Sequence, residues 1–419
     1  MAIFSLVNGM ADLLIANAIN IFVAASSTAT VDAVLRVTQH SLEALTQSLG
    51  GAALIFRGIF TNRENRATLD FILDNFVALL SFLYDLVRPA NVIPGQVIGN
   101  GAENTFATEF PPGRQNPYNE LDLDRAENRH AVVYQIQRLL MCLANIIRLG
   151  RAQNSENTLD TVEMNVKLES DFDQSGNPPQ STHVSECEES PHGEKWFFIN
   201  GIANERVWFE GSCDKIRNIF QRQVVGIFNR SDSLLWDLVE CCGERGAAGP
   251  NPLLQQTRSS MAAQDAIKEE LERALQDNEL QKVVVIAHSQ GCLLLRLTLI
   301  DLITQGLLVD NMQRKLRVFT FGNPSIDWRV GRTDIVQNDL LSSFSRVTEH
   351  YAHQLDFVAR LGIVTHQTDP GSGYENNSVF YSNNGRGHLF GAHYPLGATA
   401  YRNGGNSVLL RAVNGSDMD

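Results

Sequence analysis

The residues best suited to carry out chemistry surround Ser289, in the pattern Ala287-x-Ser289-x-Gly291. Residues 283–286 form a β-branched apolar run typical of a fully buried strand, and the leucine-rich stretch from Gln290 predicts a helix. A serine on the sharp turn between such elements holds its oxygen above the sheet, and small residues two before and two after it relieve the crowding. The pattern therefore predicts a nucleophile elbow, with the N–H of Gln290 placed to stabilise an oxyanion.

An acid and a base are needed beside this serine, because its hydroxyl is a weak nucleophile near neutral pH. Hydrolases with such an elbow carry serine, acid and histidine in that chain order. The acids nearest to a predicted strand end after Ser289 are Asp327, Asp334 and Asp356. We choose Asp356, because it closely follows the strand predicted at residues 347–352 and precedes an apolar turn. The same position would also suit a helix N-cap, so a purely structural role for Asp356 stays open.

Two histidines near the end of the chain compete for the role of the base. His388 follows a flexible Gly-Arg-Gly turn after the strand predicted at residues 378–381, where a base can reach back over the sheet. His393 lies five residues later and could point inward from the next turn. We favour His388 and keep His393 as the alternative. Other histidines are assigned to packing, to the helical region or to a position too close to the acid: His288, His40, His130 and His353.

The second oxyanion donor is expected after the first apolar strand, residues 196–200. Many hydrolases place a His-Gly-x loop there, with a backbone N–H that faces the substrate carbonyl. This chain has Asn200, Gly201 and Ile202 at that place, so the N–H of Ile202 is the candidate donor.

Strands and helices alternate in the second half of the chain, and this alternation indicates an α/β fold. The predicted strands are residues 196–200, 224–229, 283–286, 316–321, 347–352 and 378–381. They should form a mostly parallel sheet with helices on both faces, and the site of an open sheet lies at the carboxyl ends of its strands. Ser289, Asp356 and the two candidate bases all follow strands and should meet there. We assign residues 195–419 to this catalytic domain.

Residues 1–150 predict an α-helical region, because apolar residues recur at helical spacing and Gly or Pro ends the stripes. Residues 151–194 form a polar linker with a candidate outer strand at 162–168. The helical region could pack on the catalytic domain as a bundle, or cover the site as a lid with an acyl-chain groove. Its first segment, residues 2–24, is interrupted by Asp12 and lacks a basic flank, which argues against a membrane span or signal peptide. We expect at most a peripheral membrane contact through these helices.

The composition narrows the class of partner and compartment. The 419-residue chain is 43% hydrophobic and 19% charged, which is ordinary for a core-forming protein. Its net charge of −13 argues against nucleic acid as a partner. The six cysteines show no CxxC spacing, so we expect a cytoplasmic, disulfide-free protein with Cys292 buried behind the elbow. His183, Cys187 and His192 match no standard metal-site spacing, and we expect neither a metal nor a cofactor.

Three stretches resemble class 3 (fungal-type) lipases, which are lipase-like serine hydrolases of the α/β-hydrolase fold. They are residues 318–324 (VFTFGNP), 346–347 (RV) and 355–361 (LDFVARL). Two more resemble uncharacterised lipase-like fungal proteins, namely residues 197–202 (FFINGI) and 387–394 (GHLFGAHY). The resemblance covers about half of the chain. The sequence departs from the family in three ways: Ala287 replaces the first elbow glycine, Ala359 replaces a turn proline, and the oxyanion loop has no His-Gly pair.

This resemblance implies an α/β-hydrolase fold and the hydrolysis of carboxylic esters, with lipids or other acyl esters as substrates. In that role Ser289 is the nucleophile, His388 the base and Asp356 the acid. Acyl transfer by the same residues to an acceptor other than water remains an alternative. A catalytically inactive hydrolase fold that serves as a scaffold or binding protein is another.

Overall fold

The computed structural model describes residues 116–120, 122, 125–128, 131, 180–201, 204–229, 258–330, 340–382, 385 and 387–418. Seven strands lie in these ranges: β1 (Gln180–Ser185), β2 (Glu194–Ile199), β3 (Val224–Asn229), β4 (Lys282–His288), β5 (Leu316–Phe321), β6 (Val347–Ala352) and β7 (Val379–Tyr381). They form one sheet in the order β1-β3-β2-β4-β5-β6-β7. Every neighbouring pair is parallel except β1 with β3, so the sheet is mostly parallel as predicted.

Eight α-helices lie wholly within the described ranges and accompany the sheet. They are α1 (Arg206–Phe220), α2 (Arg258–Gln276), α3 (Gln290–Thr304), α4 (Asp310–Lys315), α5 (Phe357–Leu361), α6 (Ile363–His366), α7 (Phe390–His393) and α8 (Val408–Arg411). Only α1, α2 and α3 exceed ten residues. None of the described helices combines the length and the apolar character that crossing a bilayer requires.

The central strands are buried on both faces, and this explains why the sequence predicts them well. All residues of β3, β4 and β5 are buried, as expected for parallel strands covered by helices. Val283 and Val285 belong to one hydrophobic core, which also contains the apolar faces of α2 and α3. Val284 and Ile286 belong to the opposite core, which contains the face of α1 and the C-terminal residues. Successive side chains of β4 thus serve two cores, one on each face of the sheet.

The predicted strand bounds hold for three of the inner strands. β3, β5 and β6 begin and end at the predicted residues. β4 extends to His288, which places Ser289 alone between the strand and α3. β2 begins at Glu194 and ends at Ile199, so Asn200 lies just past the strand rather than within it.

β1 was not predicted. Its six residues, QSTHVS, are mostly polar and lie in the segment assigned to the linker. The strand pairs antiparallel with β3 over its whole length, from Gln180 opposite Asn229 to Ser185 opposite Val224. Its place depends on backbone hydrogen bonds to a neighbouring strand and not on an apolar pattern of its own. The outer strand predicted at residues 162–168 lies outside the described residues.

A short part of the predicted helical region packs against the sheet domain. The amide of Asn116 donates to the carbonyl of Gly391 at 2.9 Å, and the indole N–H of Trp208 donates to the side-chain oxygen of Asn128 at 3.0 Å. The remainder of residues 1–150, including the apolar segment 2–24, lies outside the described residues. So do the predictions of a bundle, a lid or a membrane contact there.

Candidate active site

Ser289 occupies a one-residue turn in a conformation that L-amino acids rarely adopt. Its φ is 57° and its ψ is −127°, between the last residue of β4 and the first of α3. Such a conformation costs about 1–3 kcal/mol and persists only where the surroundings enforce it. Two backbone hydrogen bonds hold the turn here: Ser289 N–H donates to the carbonyl of Phe321, and Cys292 N–H donates to the carbonyl of Ser289, both at 2.9 Å. Backbone strain at a strand-to-helix serine is the geometry that a nucleophile elbow requires.

The end of β2 lies directly against this turn, and two glycines make the approach possible. A Cβ on Gly291 would lie 2.5 Å from the carbonyl oxygen of Ile199. A Cβ on Gly201 would lie 2.2 Å from the Cβ of Ser289 and 2.8 Å from its Oγ. Both distances are far below van der Waals contact, so a side chain would not fit at either position. Gly291 and Gly201 are therefore both required by the close packing around Ser289. Each lets two backbones meet at the serine.

We expect Gly201→Ala to displace Ser289 and to lower its rate of reaction with an electrophilic probe by about 100-fold, the scale of a 1 Å misplacement. The added methyl group has nowhere to go except against the serine side chain. Second-order labelling rates of the two proteins measure the effect. Gly211→Ala is the matched control, because a Cβ there meets no atom within 4 Å. Equal labelling rates for Gly201→Ala and wild type would contradict the proximity of Gly201 to the reacting oxygen.

The structure brings Ser289, His388 and Asp356 together from the ends of three different strands. The Oγ of Ser289 lies 2.8 Å from the Nε2 of His388. The Nδ1 of the same ring lies 2.8 Å from the Oδ2 of Asp356. Because a carboxylate only accepts, Nδ1 carries the proton and Nε2 presents its lone pair to the serine hydroxyl. That tautomer is the one a general base for the serine needs.

Asp356 is fully buried and makes three hydrogen bonds through its carboxylate. Oδ2 accepts from His388 and, at 2.6 Å, from the hydroxyl of Tyr394. Oδ1 accepts from the N–H of Val358 at 2.8 Å, so Asp356 also caps the N-terminus of α5. Burial alone would raise the pKa of Asp356, but the charge and the hydrogen bond of His388, together with the hydrogen bond from Tyr394, hold that pKa below its ordinary value. The structural role and the contact with His388 are therefore both present in one side chain.

Asp327, the alternative acid, has a different partner. Its Oδ1 lies 2.6 Å from Nη2 of Arg296, whose side chain is 1% exposed. The charge of Asp327 thus neutralises a buried guanidinium on α3. The carboxylate that forms the ion-pair contact with His388 is that of Asp356. Asp334 lies outside the described residues.

The candidate oxyanion loop is held by a chain of side-chain amides. The amide N–H of Asn200 donates to the carbonyl of Asn229 at 2.7 Å, and the N–H of Asn229 donates back to the Asn200 side chain at 2.7 Å. The Asn229 side chain then donates to Oε1 of Gln290 at 2.9 Å. These bonds join the ends of β2 and β3 to the first residue of α3, whose N–H is the predicted oxyanion donor. The second predicted donor, Ile202, lies outside the described residues.

The alternative base, His393, forms hydrogen bonds within the loop that carries His388. Its Nδ1 accepts a hydrogen bond from the N–H of Leu389 at 3.1 Å, which closes the turn that carries His388. Its carbonyl accepts from Nε2 of His353 at 2.8 Å. Burial lowers the pKa of His393 to about 3. Of the two candidates, the histidine that contacts Ser289 is His388.

Two further histidines, His288 and His353, support the loop of His388. Nε2 of His288 donates to the carbonyl of His388 at 2.7 Å, and the two rings lie 4.7 Å apart. Nδ1 of His353 lies 2.7 Å from the hydroxyl of Ser382, and its ring stacks on Tyr394 at 4.0 Å. Burial lowers the pKa of His288 well below its ordinary value and that of His353 to about 4. Both rings are therefore neutral at neutral pH.

The buried histidines should make the protein sensitive to acid. Burial lowers the pKa of four of them in the folded state: His288, His350, His353 and His393. The unfolded chain binds protons at these histidines below a pH of about 6.5. In the folded protein burial lowers the pKa of His353 to about 4 and those of His350 and His393 to about 3. Their contribution is therefore complete above about pH 6.5, and the free energy of unfolding falls as the pH drops, by up to about 1.4 kcal/mol per pH unit for each histidine.

Urea denaturation between about pH 7 and pH 4.5 measures this slope. His350→Asn is the informative variant, because His350 bonds to Thr320 away from Ser289, and burial lowers its pKa to about 3. The variant should lose about one histidine's share of the slope. An unfolding free energy independent of pH in this range would contradict the prediction.

Two buried charged side chains, Glu120 and Lys215, hold the residues that follow His388, and the sequence did not reveal them. The carboxylate of Glu120 accepts from the N–H groups of Gly391 and Ala392 at 2.7 and 2.6 Å. The ammonium group of Lys215 donates to the carbonyls of Phe390, Gly391 and Tyr394 at 3.0, 3.2 and 2.6 Å. Burial raises the pKa of Glu120, and the charge of Lys215 opposes that shift. One sequence signal existed: Lys215 falls on the buried stripe of α1 with Trp208 and Ser212, where a lysine needs a partner.

The reacting atoms are enclosed. Ser289 and Asp356 are 0% exposed and His388 is 2% exposed. Two of the histidines considered as metal ligands lie in other surroundings. His183 lies 3.6 Å from the carboxylate of Glu210, and His192 is exposed to solvent. Among the described residues, no three side chains of His, Cys, Asp or Glu converge as metal ligands do.

Comparisons with known proteins add no relative to this picture. No family model matches the chain, and no curated protein matches it. Function is therefore inferred from the residues of the site and their geometry.

Proposed function

We propose that this protein is a serine hydrolase of the α/β-hydrolase fold that cleaves carboxylic esters through an acyl-enzyme at Ser289. The observation that carries the proposal is the relay of two 2.8 Å contacts, from Ser289 to His388 and from His388 to Asp356. Each member follows a different parallel strand, so the three meet at the carboxyl edge of the sheet, where α/β folds bind ligands.

The geometry supports a division of roles. The Oγ of Ser289 attacks the ester carbonyl while Nε2 of His388 takes its proton. The carboxylate of Asp356 keeps the other ring proton on Nδ1 and stabilises the imidazolium that forms. His388 then gives the proton to the leaving alkoxide, which departs as an alcohol and leaves the acyl group on Ser289. Water attacks this acyl-enzyme, with His388 as the base again, and releases the acid.

The oxyanion of each tetrahedral intermediate needs two donors. The N–H of Gln290 at the first position of α3 is one, because the first N–H groups of a helix point along its axis and out of its N-terminal end. We assign the second to the N–H of Ile202, the residue after the Gly201 that touches Ser289. The amide chain from Asn200 to Gln290 supports the assignment, because it fixes both donor segments to one another.

The substrate class is proposed from the resemblance to class 3 lipases and is a lipid ester or another acyl ester. The strand ending in Phe-Gly-Asn-Pro, β5 with residues 322–324, passes beside the acid, and a Cβ on Gly322 would lie 3.0 Å from the Oδ2 of Asp356. The matching motif therefore lies in the site rather than elsewhere in the fold. No metal or organic cofactor has a part in this chemistry.

A fluorophosphonate probe tests the proposal, because it phosphonylates activated serines and needs no knowledge of the natural ester. We expect one probe per chain on the wild-type protein, mapped by peptide mass to Ser289. Folded Ser289→Ala should take up none. If the folded wild-type protein is not labelled at any pH tested, the hydrolase proposal is wrong and an inactive scaffold or binding protein is the remaining alternative.

Acyl transfer is a second candidate, and the enclosure of the site favours it. Ser289 is 0% exposed, and an acyl-enzyme shielded from bulk water survives longer for another acceptor. The partition of a p-nitrophenyl ester between free acid and a new ester, with an alcohol added as acceptor, separates the two reactions. Free acid as the product at every acceptor concentration identifies a hydrolase.

A further inference from the structure

The hydroxyl of Tyr394 lies on the same carboxylate oxygen as the histidine. It donates to Oδ2 of Asp356 at 2.6 Å, while Nδ1 of His388 lies 2.8 Å from that atom. Oδ1 is occupied by the N–H of Val358 at 2.8 Å. The carboxylate therefore accepts three hydrogen bonds, one from a backbone N–H and two from side chains. Because both of its oxygens are bonded, the orientation of the carboxylate plane is fixed.

Packing alone does not explain a tyrosine at this position. Its ring is 0% exposed and lies against His353, His288 and Phe321 at centroid distances of 4.0, 5.6 and 5.9 Å. A phenylalanine would make the same ring contacts without burying a hydroxyl, which is costly unless it is bonded.

The backbone also leaves room for the hydroxyl. A Cβ on Gly322 would lie 2.9 Å from the Tyr394 oxygen and 3.0 Å from Oδ2 of Asp356. A side chain at Gly322 would therefore press on both partners. The bond is a built feature of the site, formed by residues 38 positions apart in sequence.

We propose that Tyr394 is a positioning residue that fixes the carboxylate of Asp356 and limits the negative charge it presents to His388, and this role rests on the proposed function. A second donor on Oδ2 withdraws charge from the oxygen that faces the imidazole. The carboxylate then stabilises the imidazolium less strongly than it would without this donor. Burial and the charge of Asp356 raise the pKa of Tyr394 well above its ordinary value, which keeps the hydroxyl a donor.

Other titratable groups surround the triad, and the substitutions Tyr394→Phe and Tyr351→Phe leave all of them in place. On the neighbouring elements these groups are His288, His353, His393, Lys215, Glu120 and Tyr401. Burial lowers the pKa of His353 to about 4 and that of His393 to about 3, so these two rings do not titrate near neutral pH.

The test is the pH profile of fluorophosphonate labelling for wild type and Tyr394→Phe, followed from about pH 5 to about pH 9. We expect the acid limb of the Tyr394→Phe profile to move to higher pH by about half a unit to one unit, because the carboxylate regains charge. Tyr351→Phe is the matched control. It removes another buried tyrosine–carboxylate hydrogen bond, to Glu349, and leaves Asp356 untouched. It should lower stability and leave the profile in place.

The outcomes separate this proposal from the hydrolase itself. Wild-type labelling at Ser289 with coincident profiles for wild type and Tyr394→Phe overturns the role of Tyr394 and leaves the hydrolase standing. Equal shifts in Tyr394→Phe and Tyr351→Phe also overturn it, since a general loosening of the fold would then be the cause. Absence of wild-type labelling overturns the hydrolase and, with it, this role.

A second measurement covers a Tyr394→Phe protein that does not fold. Biosynthetic replacement of tyrosine by 3-fluorotyrosine keeps every hydroxyl and makes each a stronger donor. The acid limb of the wild-type profile should then move to lower pH, opposite to the direction expected for Tyr394→Phe. An unmoved limb in the folded, fluorinated protein overturns the proposal.

Discussion

Replacing Ser289 with alanine should lower ester turnover by about 10⁶-fold, as loss of the nucleophile does in serine proteases. The hydroxyl is the atom that forms the acyl-enzyme, and no other described serine contacts a histidine held by a buried aspartate. The substitution keeps the backbone conformation of the elbow and removes one hydrogen bond, so the melting temperature should change little. Hydrolysis of a short-chain p-nitrophenyl ester, followed by absorbance and normalised to folded protein, measures the loss.

Ser407→Ala is the matched control for this substitution. Ser407 is also fully buried, and its hydroxyl accepts from the N–H of Leu410 and donates to Glu349. The control should lose about 1–2 kcal/mol of stability with the helix cap and keep its turnover. The opposite pattern, with full turnover in folded Ser289→Ala, would remove Ser289 from the mechanism.

The strands show what a local pattern can and cannot specify. β3 and β5 are mostly apolar and buried along their whole length, so their own residues predict both the strand and its bounds. β1 contains Gln, Ser, Thr and His, and its strand conformation comes from pairing with β3. A segment whose structure is imposed by a neighbour carries little sequence signal, whatever its place in the final sheet.

Some site residues could likewise be predicted from local sequence, whereas others depend on the packed fold. Ser289, Asp356 and His388 could be named because chain order and position after a strand are local properties, and parallel strands bring their ends to one edge. The sequence favoured His388 over His393 only weakly, because both histidines follow β7. The choice between them depends on α7, the short helix that ends at His393.

The partners that the sequence did not reveal are all distant in the chain. Glu120 reaches Gly391 across 271 positions, and Lys215 reaches Tyr394 across 179. A buried carboxylate or ammonium signals that some partner must exist, but not which one. Only the packed fold identifies it. The same holds for the amide chain from Asn200 to Gln290, whose members stand at the ends of two strands and the start of a helix.

Asp356→Asn should lower kcat by about 10⁴-fold, as the same change does in a serine protease triad. The oxygen that caps α5 can keep its bond from Val358, so the new amide group takes the place of Oδ2 and faces two donors, His388 and Tyr394. The imidazole then accepts at Nδ1 and carries its proton on Nε2, where it cannot take the proton of Ser289. Turnover of the p-nitrophenyl ester near neutral pH measures the loss, and a retained melting temperature shows that the fold persists.

Asp327→Asn distinguishes this effect from the loss of any buried carboxylate. Asp327 bonds to the buried Arg296, so removing its charge should cost about 3–5 kcal/mol of stability and change kcat by less than about tenfold. Asp356→Asn should thus lose catalytic rate at unchanged stability, whereas Asp327→Asn should lose stability at a nearly unchanged rate. A 10⁴-fold loss in Asp327→Asn with Asp356→Asn near wild type would instead assign the acid to Asp327. His388 would then have to leave its 2.8 Å contact with Asp356 during turnover, because its Nδ1 cannot face both carboxylates at once.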